Sequence, residues 1–123
     1  MAAVSKATVR QGSSELSAGP AIDTRHLSRM TLGEHSLQQE VLALFERQAD
    51  ILLPRIRTGT PPVAAALAHT LKGSASGIGA FKVARAAEAV EQASGEAIEA
   101  AINTLAAVLD EAKAEIARML QAA

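Results

Sequence analysis

The stretch Ile98–Met119, IEAAINTLAAVLDEAKAEIARM, decides the fold class. Its apolar residues Ile98, Ile102, Leu105, Leu109, Ala112, Ile116 and Met119 follow one another at alternating steps of four and three. A helix with 3.6 residues per turn gathers positions at that spacing into one stripe. Such a stripe suits 3-4 packing against neighbouring helices or a coiled-coil seam. It serves more often as the inside of its own fold than as a binding site for a foreign helix.

Working outward from it, Ser94-Gly95 breaks the chain before this helix, and Ala80 to Ala93 forms the preceding one, carrying Phe81, Val83, Ala87 and Val90. Gly77 and Gly79 mark the turn before that. The spacing predicts a helix from Pro61 to about Ser76, with Val63, Leu67, Leu71 (or Thr70), Ser74 and Ile78 along its inner side. Thr60 can cap it, and Pro61 fits the first helical position, where a missing N–H costs nothing. From Glu34 to about Ile56, Leu37, Val41, Leu44, Phe45, Leu52 and Ile56 recur at helical steps. Pro54 within that pattern predicts a kinked last turn or an early end. Asp23 can cap a short helix, Thr24 to Met30, before Gly33.

Residues 1–20, rich in Ser, Ala, Gly and Gln, read as a flexible tail, and 21–123 as one folded domain. Short breaks between long helices favour antiparallel neighbours. The expected fold is all-α, an antiparallel four-helix bundle with a short additional N-terminal helix.

Composition agrees. Hydrophobic residues make up 49% of the chain, yet Phe45 and Phe81 are its only aromatics. A core of Ala, Leu, Ile and Val suits closely approaching helices better than a β-sandwich. A formal charge of −1 argues against a general nucleic-acid binder. The absence of cysteine excludes disulfides and thiolate metal sites. The first twenty residues lack the apolar stretch of a secretory signal, and no apolar run approaches the length of a membrane span, so the cytoplasm is the expected compartment.

Of the three histidines, His26 and His35 sit near helix starts among polar neighbours and read as surface residues. His69 lies about 200° around its helix from both Leu67 and Leu71, so it should face water. Its neighbours three and four positions away are Ala65, Ala66, Lys72 and Gly73. A mid-helix glycine costs about 1 kcal/mol relative to Ala. Gly73 therefore implies either close approach by something large or tight packing of two helices. Neutral imidazole is nucleophilic near physiological pH. Phosphoryl transfer asks of a protein mainly positioning and charge stabilisation. A lysine one turn away could neutralise part of a phosphoryl group on His69.

The segment His69-Thr70-Leu71-Lys72-Gly73-Ser74-Ala75-Ser76-Gly77-Ile78-Gly79-Ala80 resembles the signature of the histidine-containing phosphotransfer (HPt) family. The wider helix pattern from about Ile22 to Leu120, including Leu32-Gly33, is similar to that family too, whereas the first twenty residues have no counterpart in it. The resemblance implies that His69 is phosphorylated, that Lys72 is the electrostatic partner of the phosphoryl group, and that Gly73, with Ala65, Ala66 and Ser76, clears a surface for a docking receiver domain. The family often places a Gln or Glu twenty-two positions after the histidine, here Glu91, to orient the ring through its other nitrogen. Simple reflection about a turn near Ile78 instead puts residue 87 or 88 opposite His69, which makes Glu88 a competitor. Implied partners are response-regulator receivers and a hybrid histidine kinase, with no nucleic acid or membrane. The chain should act as a monomeric phosphocarrier without kinase activity or cofactor of its own, Mg²⁺ belonging to the receiver. Docking should extend over apolar residues of the first helices: Ile22, Leu27, Met30 and Leu32.

Three other classes fit less well. A sensor-kinase dimerisation and phosphoacceptor module would carry Thr/Asn-Pro where this chain has Gly73-Ser74. A helical adaptor would expose the Ile98-to-Met119 seam. A metal site from His26, His35 and His69 lacks the close ligand spacing of known motifs. Neither a G-x-S-x-G elbow nor a nucleotide-cradling glycine loop is present.

Overall fold

In a computed structural model that describes residues 19–122, the chain is all-α. Five helices are present and no strand is found among the described residues: α1 (Thr24–Met30), α2 (His35–Thr58), α3 (Pro61–Gly77), α4 (Phe81–Gln92) and α5 (Ala97–Ala122). The N-terminal segment read as a tail lies outside the described residues up to position 18. Helix α2 packs on α3 and α5, and α4 packs on the same two, α3 and α4 being the most closely joined.

Helix α5 follows its sequence pattern throughout. Ile102, Leu105, Leu109, Ala112 and Ile116 are buried, and Ile98 and Met119 pack against the same core at its two ends. Full burial of an Ile or Leu contributes about 1.5–3 kcal/mol, so this stripe supplies a large share of the apolar core.

Two faces differ from expectation. On α3 the buried stripe is Ala64, Ala68, Leu71 and Ala75. Leu71 and, beyond the helix, Ile78 are buried as predicted, whereas Val63, Leu67 and Ser74 give way to their neighbours Ala64, Ala68 and Ala75, Leu67 packing at the core's edge and Val63 standing 48% exposed. Alanines let α3 and α4 approach closely, and their buried partners on α4 are mostly small as well: Ala84, Ala86, Ala87, with Val83 and Val90. On α2 the core takes Leu42, Phe45, Ala49, Leu52 and Ile56, leaving Leu44 half exposed and Leu37 at the surface. Helix α2 also does not stop at Pro54 but runs on to Thr58. Proline removes one ladder bond, while the burial of Ile56 holds the final turn in place. Thr60 stands at the start of α3 without a side-chain capping bond, although Pro61 occupies the first position as expected.

The segment before α1 is tied to the α3–α4 turn. The Asp23 side chain accepts from the His26 N–H at 3.1 Å, and the Asp23 N–H donates to the Gly79 carbonyl at 2.8 Å. Ile22 and Leu27 are buried, 3% and 1% exposed, so they belong to the core and not to a docking surface; Met30 and Leu32 do face solvent. Leu32 is held outward by a left-handed backbone, φ 55°. Lys82, on α4, is nearly buried; its Nζ donates to Glu111 Oε1 on α5 at 2.6 Å and to the Gly19 carbonyl at 3.4 Å.

Gly79 is required twice over. Its φ is +84°, and a Cβ there would lie 2.7 Å from the Asp23 carbonyl oxygen. Gly79→Ala is expected to destabilise the fold by about 1–3 kcal/mol, lowering the thermal midpoint by roughly 4–8 °C per kcal/mol. An unchanged midpoint in thermal denaturation would remove this contact as a determinant of the fold.

Candidate functional site

His69 sits on the outer surface of α3 because Ala68 and Leu71, on either side of it in sequence, turn inward. Its side chain is 65% exposed. Glu91, on the last turn of α4, reaches it: His69 Nδ1 and Glu91 Oε2 lie 2.8 Å apart. An ionised carboxylate only accepts hydrogen bonds, so Nδ1 donates, and in a neutral ring Nε2 then carries the free lone pair. Glu88 does not fill this role. Ile78, Gly79 and Ala80 separate the two helices, and it is Glu91, twenty-two positions after His69, whose carboxylate meets the ring. Glu88 lies a turn away and lines a cleft between α3 and α4.

Lys72 Nζ lies 3.3 Å from Glu91 Oε1, so one carboxylate holds both the imidazole and the ammonium. Burial pushes the Glu91 carboxyl up, but the hydrogen bond from His69, the Lys72 ammonium beside it and the charges of both outweigh it and hold the group below its ordinary 4.5. The sequence pointed to Lys72 as a partner of His69; its pairing with Glu91 was not legible there.

Gly73 is exposed, and a Cβ added to it would meet nothing within 4 Å. Tight packing of two helices therefore does not account for this glycine. Beside it, Lys72, Gly73 and Ser76 of α3 and Phe81, Ala84 and Arg85 of α4 border the Glu88 cleft, with a volume near 340 Å³. Ala66 is exposed, and Ala65 and Ser76 are partly so. The imidazole thus stands on a face with little side-chain bulk around it.

The other histidines lie apart from the site. His35 is exposed at the start of α2. His26 departs from the surface reading: its ring packs edge-on against Phe81, centroids 5.0 Å apart, and its Nε2 is buried. No cluster of three or more His, Cys, Asp or Glu able to hold a metal ion occurs among the described residues. No helix among them is long and apolar enough to cross a membrane.

An exposed imidazole fixed through one nitrogen, with a cation within a turn and the other nitrogen free, can accept and release an electrophilic group. In comparisons with known proteins, no curated protein and no solved structure matches the chain. A family model described as Hpt domain matches residues 39–122, a span that contains α3, α4 and every residue of this site. The chain belongs to the Hpt domain family.

Proposed function

We propose that this chain is the phosphocarrier of a two-component phosphorelay, with His69 as the residue that carries the group. Hpt domains act in histidine phosphotransfer with receiver domains, and the observation that supports His69 in this role is its 2.8 Å hydrogen bond to Glu91 combined with an exposed ring. In this reading Nε2 attacks the phosphorus of an aspartyl phosphate on a receiver. The N–P bond forms, the P–O bond to the aspartate breaks, and the carboxylate leaves. The ring retains its proton on Nδ1, where Glu91 stabilises the positive charge, and Lys72 offsets the charge of the phosphoryl oxygens. A second receiver's aspartate reverses the step.

A hybrid histidine kinase and a downstream regulator are the proposed partners, in the cytoplasm. Magnesium belongs to the receiver, and the carrier takes nothing from a nucleotide itself. The cycle of contacts α2–α3–α4–α5–α2 supports an antiparallel four-helix bundle as the scaffold. His69, Lys72 and Glu91 come from one chain, so the chemistry needs no second copy.

The test is incubation with a phosphorylated receiver and magnesium. The expected product is a label on this chain that is stable to base and lost in acid, as a phosphoimidazole is. Absence of transfer from every receiver tried, or a base-labile label, would overturn the reading.

A further inference from the structure

Helix α2 carries two apolar stripes; the core is built on one of them and touches the other at Val41. About 100° around the helix from the buried line, Leu37, Val41, Leu44, Gln48 and Ile51 follow at alternating steps of four and three. Leu37, Leu44 and Ile51 are 36%, 51% and 55% exposed, and Val41 and Gln48 are half-buried. Scattered exposed apolar residues are ordinary, but a regular seam about 21 Å long is the pattern that a second helix meets in 3-4 packing. It opens beside α3 as a cleft in which Val41, Leu44 and Gln48 face Ser74 and Ile78. On the solvent flank of the seam stand Glu40 and Arg47, seven residues apart and both exposed. Neither has a charged partner among the described residues.

We propose that this seam is a self-association surface, on which α2 pairs antiparallel with α2 of a second copy. A two-fold axis near Leu42 and Ala43 sets Val41 against Leu44 of the other copy and Leu37 against its Gln48. The same axis sets Glu40 beside Arg47 of the other copy, and symmetry repeats each contact. Between Leu37 and Gln48 the seam is therefore complementary to itself in charge as well as in spacing, while Ile51 falls beyond the paired stretch, opposite Glu34 of the other copy. A parallel pair would instead direct Glu40 and Arg47 toward Phe45 and Leu52, which the core already occupies. One helix pair buries less than the roughly 1,200 Å² of a stable complex, so the dimer is weak and its population depends on concentration. It adds to a fold that is already closed, and His69 lies on the opposite, α4, side of α3.

Sedimentation equilibrium of the full chain from about 10 μM to about 1 mM spans the range in which such a pair forms. The weight-average mass is expected to rise from 12.7 kDa toward twice that value. Leu44→Asp, at a half-exposed position that leaves helical content unchanged, should hold the mass at one chain throughout. Glu40→Arg and Arg47→Glu should each weaken association at least about threefold by opposing like charges, and the double exchange should restore it. A single-chain mass at every concentration overturns the proposal, as does a mass that rises only when another protein is added. Association that survives Leu44→Asp, or a double exchange no better than the single ones, overturns it as well.

Discussion

His69→Gln is expected to reduce phosphoryl labelling by a receiver at least about a thousandfold, a loss of roughly 4 kcal/mol of transition-state stabilisation. Glutamine fills a similar volume and keeps a polar tip, but its amide nitrogen has no available lone pair for attack on phosphorus. No other imidazole substitutes. The Nε2 of His26 is buried with its ring against Phe81, and His35 is the first residue of α2, outside the Glu91–Lys72 site. Because the His69 side chain is 65% exposed, the fold should be little affected, within about 0.5 kcal/mol. Labelling and circular dichroism measured together separate the two effects: equal labelling of the variant sinks the assignment of His69, whatever the fold does.

Glu91→Ala carries the second-largest expected effect, transfer slowed by about 10- to 100-fold, the range found when the group orienting a functional histidine is removed. Two things are lost at once, the acceptor for Nδ1–H and the anchor of Lys72. Glu91→Gln should fall between wild type and alanine, since an amide oxygen still accepts from Nδ1 but does not neutralise the ammonium. Nitrogen NMR of the His69 ring provides a readout that a merely structural role would not move: the Nδ1–H tautomer should dominate in the wild type and recede in the alanine variant. Unchanged rates together with an unchanged tautomer ratio would remove Glu91 from the site.

The acid dependence follows from the same contacts. The folded-state pKa of Glu91 lies below its ordinary 4.5, so the unfolded chain binds its proton at higher pH than the folded one does. The stability contributed by the His69–Glu91–Lys72 link is therefore complete above that ordinary value and is lost as pH falls through the lower, folded one.

What the sequence disclosed depended on how distinct its residues were. On α5, large aliphatic residues alternate with polar ones, and every position of the stripe could be read before the structure was known. On α3 the buried line consists of Ala64, Ala68 and Ala75 around Leu71, and alanine is equally at home on either face. Hydropathy instead favours Val63 and Leu67, each one position from the buried Ala64 and Ala68, while Leu71 and Ile78 are buried where the pattern puts them. His69 still comes out exposed, because a slip of one position leaves it outside the buried stripe. On α2, two apolar stripes compete, and hydropathy cannot say which one meets the core. Ile22 and Leu27 looked available because the hydrogen bond between Asp23 and Gly79, which folds that segment inward, joins residues far apart in sequence. Glu91 and Glu88 share one face of α4 three residues apart, and which of them reaches His69 depends on how α3 and α4 meet in space, which periodicity does not measure.

Gly73 remains the feature with the longest reach. Space is open where its side chain would be, so alanine would fit there and would strengthen the helix by about 1 kcal/mol. The isolated chain thus forgoes stability that a single methyl group would restore. On the proposed function, the omission serves a contour absent from the free protein: the surface around His69 is then one half of a contact whose complement a receiver domain carries.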